Sequence, residues 1–500
     1  MKKHINKENL IQYLIIMGIT LILGNAFLQT HFSSDTYVLY NLGYFDYPSE
    51  FFLLDGRIIS TLVCYTAGIL HIPYNIYLVG MDFIGICILS FTIYLLNKKI
   101  IELLDIKDKK RKILILFATF VLVFNQFTLE YLLFPESAVM CLGVLMVVKA
   151  SIETLKDKKS KYLKIIMYLF ITIISYQAII TAFPVLSFLL NFIKKKRQEK
   201  NSKIISKNSK EVIIETIKYS LILLILILIE WGIIQLFNNI LEKEMTRTVK
   251  LINFEAFCIR FRYAILNMIS LYIGFMNMLP YGLLPFISII TIAIMFISKE
   301  SRKDLIYYIF LLLIISLECG IVIFLFDSGP CPRTDWVMGL IWGISLIYLI
   351  KNININIKIE KIISILVIMS FMINSIILIQ NSMQHIAANK VDANMGYNIK
   401  YKIERYEGET GKKITKFAYI NDYKPSQYAR GIKKMGSLTE RAFACNWSIL
   451  EAMNYYTGRK LKTAEFAYNI YFEKMEQLDY TEYTEDQLYF EDDTLYMIVY

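Results

Sequence analysis

The chain has 500 residues, 56% of them hydrophobic, with a mean hydropathy of +0.47, a composition that excludes an ordinary soluble globule. The net charge of +11 does not mark a nucleic-acid partner, because the basic residues sit in short clusters between apolar runs: Lys98–Lys99, Lys107–Lys112, Lys156–Lys164, Lys194–Lys203 and Lys299–Lys303. That is the positive-inside pattern, which fixes orientation in a membrane. The cysteines are scattered without CxxC spacing and the histidines are dispersed, so no metal-binding motif is present.

Apolar runs near the length needed to cross a hydrocarbon core of about 30 Å recur from end to end, and they must be helical because lipid satisfies no backbone polar group. The first run, 10–28, follows MKKHINKE and reads as a retained span leading outward. It delivers an outer loop, SSDTYVLYNLGYFDYPSEFFLLDGR, carrying Asp35, Asp46, Glu50, Asp55 and Arg57. Residues 57–70 are short and mixed with Ser and Thr, which suits a helix at the outer surface. Span two, 72–96, returns inward. Spans three and four, 113–134 and 136–150, form a hairpin with Glu130, Pro135 and Glu136 at its outer tip.

The run 165–193 is basic at both ends, too long for one span and short for two. A pair of short tilted helices turning near Ser175–Tyr176–Gln177 resolves this, and a polar turn at that depth requires protein or water around it. Tyr176 and Gln177 are therefore expected to line a cavity. A basic loop, 194–217, precedes span seven, 218–237. An outer segment, 238–275, mixes Glu242, Glu244, Arg247, Lys250, Glu255, Arg260 and Arg262 with apolar residues and reads as surface helices. Span eight is 278–298 and span nine 305–326. The outer turn DSGPCPRTD, with Asp327, Arg333 and Asp335, leads into span ten, 336–350, and span eleven, 362–380, exits outward.

The fold expected is an all-α polytopic membrane protein with about 11 transmembrane helices, N-terminus cytoplasmic. Residues 1–380 form the membrane domain. From Asn381 the composition turns polar, and 381–500 is expected to be a small α+β extracytoplasmic C-terminal domain, with a strand at 414–420 and a helix near 443–456. Cys331 and Cys445 face the same side, where a bridge is open to them. The sequon at Asn446 is a single match of the kind chance supplies.

Polar groups outside the tail fall on one side of the membrane. A carboxylate there can act as general base on a sugar or lipid hydroxyl, and an arginine fork suits a phosphate. Each group also has a plain reading: acidic loop residues are usually solvated, Asp-Ser-Gly-Pro sequences make turns, and Glu130 and Glu136 stand at a helix boundary. Glu230, Glu318 and Asp82 lie in or near apolar spans, where an ionisable group is functional by default.

Together these segments resemble the bacterial GtrII-type glucosyl transferases of the broad GT-C class. The likeness is carried by Asp35 in SSDTY, Asp55–Gly56–Arg57, FTLEYLLFPESAVM with Glu136, Ser175–Tyr176–Gln177, Pro332–Arg333, and Gly436–Ser448 with Phe443 and Trp447. It implies a hexose, most simply glucose, moved from a polyprenyl-phosphate donor to a cell-envelope glycan on the outer face of the cell membrane. It further implies Asp35 as general base or acceptor-orienting group, with Asp55 and Glu136 beside it. Arg57 and Arg333 would meet the lipid phosphate, and Tyr176 and Gln177 would contact substrate. Thr36 stands where many of the class carry a second adjacent acid, so neither a metal nor another cofactor is assigned. A transporter, flippase or polymerase for lipid-linked oligosaccharide is the alternative; a transporter predicts internal repeats and polar groups at the bilayer midplane, and the polar groups here gather at the rim.

Overall fold

The computed structural model describes residues 7–201, 209–242, 254–274, 279–298, 302–325, 331–351, 357–421, 438–475 and 487–499. Asp327, Glu244, Arg247, Lys250 and Gly436 lie outside them. The described chain is mainly helical. Six helical segments are long and apolar enough to cross a membrane, or seven when one bent pair is counted as a span.

Helix α1, Lys7–Leu23, is followed by α2, Ser34–Tyr47, which starts just ahead of the expected catalytic acid. The start is fixed locally: the Ser33 N–H donates to the Thr36 hydroxyl at 3.1 Å, and the two hydroxyls meet at 3.0 Å. This is N-terminal capping, which satisfies backbone groups the first turn leaves open. Gly43 breaks α2 with φ +83°, a left-handed value that glycine tolerates. A short helical turn and the Asp55–Gly56–Arg57 bend lead into α3, Ile58–Ile69. At about 1.5 Å per residue α3 is roughly 18 Å long, too short to cross, as expected of 57–70.

Helix α4, Tyr74–Leu104, is long and apolar enough to cross a membrane. Helix α5, Lys109–Val123, and the short α6, Gln126–Leu129, are bent by 51° at Asn125. Asn125 bridges the break, donating to the Val121 carbonyl at 2.9 Å and accepting from the Phe127 N–H at 3.0 Å. A 3-10 turn over Glu130–Leu133 then leads to α7, Ser137–Glu153. The expected helix pair at 165–193 is present as α8, Lys161–Ile173, and α9, Ala182–Asn201, with Tyr176 in extended conformation between them.

Then follow α10, Ser209–Leu241, α11, Phe254–Ile273, α12, Leu283–Ile297, α13, Leu305–Leu325, and α14, Trp336–Lys351. Helix α11 occupies part of the segment expected at the surface, yet it is itself long and apolar enough to cross. Helix α14 is buried along Trp336–Ile350 and forms the centre of the bundle. Gly339 and Gly343 let it approach α5 and α6 closely. A Cβ at Gly343 would lie 2.4 Å from Leu122, and one at Gly339 2.6 Å from Phe127.

Helix α15, Ile357–Thr410, is continuous through 381, where the composition changes. Its 54 residues reach about 80 Å, far more than a hydrocarbon core of about 30 Å, so its polar second half lies beyond any bilayer its apolar first half crosses. Asn374 donates to the Phe124 carbonyl exposed by the α5–α6 break, at 2.9 Å, and Asn381 to Gln126. Beyond α15 come β1, Lys416–Asn421, α16, Ile449–Thr457, β2, Lys462–Thr463, β3, Leu488–Glu491, and β4, Thr494–Val499. The sheet order is β2-β1-β4-β3, with β1 parallel to both neighbours and β3–β4 antiparallel.

The core under this sheet mixes Phe417, Leu495 and Met497 with Ile399 and Ile403 of α15 and with Tyr37 of α2. The Tyr37 and Tyr456 hydroxyls meet at 2.7 Å. Gly396 makes room for that contact, since a Cβ there would lie 2.3 Å from the Tyr456 ring. The tail thus shares a core with the loop that carries Asp35.

Candidate active site

The Asp55–Gly56–Arg57 bend is built so tightly that its middle residue must be glycine. Gly56 has φ +74°, and a Cβ there would lie 2.9 Å from Ile234 of α10. The Gln177 amide donates to the Asp55 carbonyl, and the Ile59 N–H bonds the Ile174 carbonyl at 3.1 Å. The polar turn between α8 and α9 therefore holds the bend in place.

Arg57 reaches inward from this bend. Its guanidinium pairs with Glu136 at 2.9 Å and with Asp55 at 3.2 Å, and lies over the Tyr176 ring at 4.9 Å. Two atoms of the cluster are buried with no hydrogen-bond partner: Arg57 Nε and Glu136 Oε2. Burial pushes the Glu136 carboxyl up to about 7, with Arg57 pulling it down and Asp35 pushing it up further.

Arg333 forms a second pair. Its side chain meets Glu130 at 2.9 Å, its backbone N–H donates to the same carboxylate at 2.6 Å, and its carbonyl accepts from the Tyr131 hydroxyl at 3.1 Å. The Phe134 ring lies under the guanidinium at 4.5 Å. Hydrogen bonds from two sides hold the Glu130 carboxylate to one geometry.

Asp35 stands between these pairs. It is half-buried in the first turn of α2 and, among the described residues, makes no hydrogen bond. It interacts electrostatically with Glu136, Arg333, Tyr47 and Glu440. Thr36, its neighbour, is 1% exposed and occupied in capping. An acid at 36 would point into the packed side of α2, away from Asp35.

Glu440 was not anticipated. It comes from the tail and lies beside Asp35, Arg333 and Glu130, with the Ser34 hydroxyl donating to it at 3.4 Å; burial pushes its carboxyl up. Nothing local marks it in SLTERAF, although the segment had been singled out for Phe443 and Trp447. Phe443 packs in the tail core, and Trp447 is exposed.

The structure thus brings together Asp35, Asp55, Arg57, Glu136, Tyr176, Gln177 and Arg333, and adds Glu130 and Glu440. Glu230 stands on α10 near Gln177, Asp55 and Arg57, buried and with Oε1 unpartnered. Other candidates lie apart. Arg260 caps α13 through the Ile323 and Phe324 carbonyls at 2.9 and 3.1 Å, and Arg262, Asp46 and Glu50 are exposed. Asp335 is buried at the start of α14, taking hydrogen bonds from Thr334 at 2.9 Å and the Cys319 thiol at 3.4 Å. Cys331 and Cys445 are both free, so the bridge left open by the sequence is not formed. Asp82 pairs with His31 at 2.9 Å. Among the described residues no group of three His, Cys, Asp or Glu side chains has metal-binding geometry.

Chemically, the cluster offers a carboxylate free of hydrogen bonds, two guanidinia in fixed orientations and a buried aromatic face. Carboxylates outnumber the guanidinia, because Asp35, Asp55, Glu130, Glu136 and Glu440 face Arg57 and Arg333. Such a cluster favours a ligand that brings many hydroxyl donors. Comparison with protein-family models, curated proteins and solved structures gave no match to the chain.

Proposed function

We propose that the protein is a membrane glycosyltransferase that moves a hexose, most simply glucose, from a polyprenyl-phosphate carrier to a cell-envelope glycan. The observation that supports this most is the cluster in which Asp35, with no hydrogen bond among the described residues, interacts with Arg333 and with Glu136, the partner of Arg57. Asp35 takes the proton of the acceptor hydroxyl as its oxygen bonds to the anomeric carbon. The bond from that carbon to the phosphate oxygen breaks, and the polyprenyl phosphate leaves with the electron pair and an added negative charge. Arg57, through its unpartnered Nε, and Arg333 are the groups suited to that charge. Asp55 and Glu136 hold Arg57, while Tyr176 and Gln177 shape the pocket for the donor.

The proposed topology counts about 11 crossings, α1, α4, α5, α7, α8, α9, α10 and α12 to α15, with α11 at the outer surface. It puts the N-terminus in the cytoplasm and the active site and tail outside. In a Cys258→Ser background, a cysteine introduced at exposed Trp447 should react in intact cells with a membrane-impermeant maleimide; labelling only after lysis would put the tail on the inner side. The function is tested by mass and linkage analysis of the surface glycan with and without the protein. Loss of one side-branch hexose supports transfer, whereas loss of the whole polymer would favour a flippase or polymerase.

A further inference from the structure

The segment carrying Glu440 is fastened to the polar second half of α15. Asp392 receives Arg441 at 2.6 Å and the Ala442 N–H at 3.0 Å, and His385 bonds the Leu438 carbonyl at 2.9 Å. Asp392 is 35 residues into α15, which at about 1.5 Å per residue is roughly 52 Å from its first residue. A hydrocarbon core takes about 30 Å of that length, so the Glu440 segment is fastened beyond any bilayer that the first half of α15 crosses.

A lipid-linked donor reaches the cavity from the other direction. Its phosphate has to meet Arg57 and Arg333, and the wall beside Arg57 is the apolar helix α10, through Ile234 at Gly56 and Glu230 near Gln177. The substrate approaching Glu440 is therefore the water-soluble one. From this placement we infer that Glu440 is an acceptor-binding residue, holding a sugar hydroxyl next to the one that Asp35 deprotonates. The inference rests on the glycosyl-transfer reading and names the half of the cavity each substrate uses.

A carboxylate suits the task, because it accepts from vicinal hydroxyls through two oxygens and donates nothing. Ser34 orients one of those oxygens. Arg441 and Asp392 act as positioning residues, fixing the segment without touching substrate.

The test uses full-length protein in liposomes, with radiolabelled undecaprenyl-phosphate glucose as donor and envelope glycan from cells lacking the protein as acceptor. Glu440→Gln should raise the acceptor KM by about tenfold to a hundredfold, the worth of one charged hydrogen bond. The donor KM should stay within about twofold, as should slow donor hydrolysis without acceptor. Glu440→Asp, which keeps the carboxylate, should recover part of the loss. Asp392→Asn, which loosens the segment, should move the acceptor KM in the same direction. Transfer by the wild type with an unchanged acceptor KM in Glu440→Gln overturns this inference alone, as does an equal loss in hydrolysis without acceptor. Absence of transfer by the wild type overturns the transferase reading and this inference with it.

Discussion

Two buried polar clusters lie close together around α2 and α15, and they are built on opposite terms. In one, Asp82 meets His31 Nε2 at 2.9 Å, His31 Nδ1 meets His385 Nε2 at 3.0 Å, and His385 Nδ1 meets the Leu438 carbonyl at 2.9 Å. Every ring nitrogen is engaged, and the chain of bonds ties α4 to the tail through the loop before α2. Among the described residues, the other cluster leaves Asp35 without a hydrogen bond and keeps Arg57 Nε and Glu136 Oε2 buried and unpartnered. Buried polar atoms in native proteins are nearly always satisfied, so those that are not ask for a further partner. The first cluster acts as a latch that completes itself on folding; on the proposed function the second is completed by substrate.

That contrast can be broken by mutation. Asp35→Asn should lower transfer by about a thousandfold, the scale of a general base, with unchanged membrane insertion. Arg57→Lys keeps the charge but loses the fork that spans Glu136 and Asp55, and should cost about a hundredfold in transfer rate. Measured rates within threefold of wild type would remove Arg57 from the site.

Glu136 sharpens the comparison through pH. With its carboxyl near 7, it is protonated below that value and pairs with Arg57 as a carboxylate only above it. Transfer should rise severalfold from pH 6 to 8, and Glu136→Gln should flatten that rise. The sign for stability is opposite: between the ordinary glutamate range and about 7 the native state holds a proton the unfolded chain has lost, so this group destabilises the fold as pH increases. A transfer profile unchanged by Glu136→Gln would contradict the first, and a stability profile unchanged by it the second. The smallest effect is expected at Thr36, where Thr36→Val keeps the shape and removes the bond its hydroxyl accepts from the N-cap Ser33 N–H. It should cost about 1 kcal/mol in detergent thermal stability.

The membrane class and most of the site were legible because each left a local mark. Apolar runs with basic ends marked a polytopic helical chain, of which six or seven segments are long and apolar enough to cross, and the polar Ser175–Tyr176–Gln177 in an overlong run gave the break that holds Arg57's bend. The latch left no such mark, since His31, Asp82 and His385 are brought together across separations of 51 and 354 residues. Glu440 was hidden for the same reason. Thr36 was read as a missing acid, while its environment shows a hydroxyl used as a helix cap. The composition change at 381 marks a change of surroundings along one continuous helix, because a helix's backbone bonds are closed in lipid and in water alike.

The most direct test measures Asp35→Asn and Asp82→Asn together, recording transfer from undecaprenyl-phosphate glucose and thermal stability in detergent. Asp35→Asn should lower transfer by about a thousandfold while leaving the melting temperature unchanged. Asp82→Asn should lower stability by about 1–3 kcal/mol, as a buried bond to His31 weakens, and keep transfer by the folded fraction. Asp35→Asn retaining transfer, or losing it only in step with stability, would contradict the assignment of catalysis to the unsatisfied cluster.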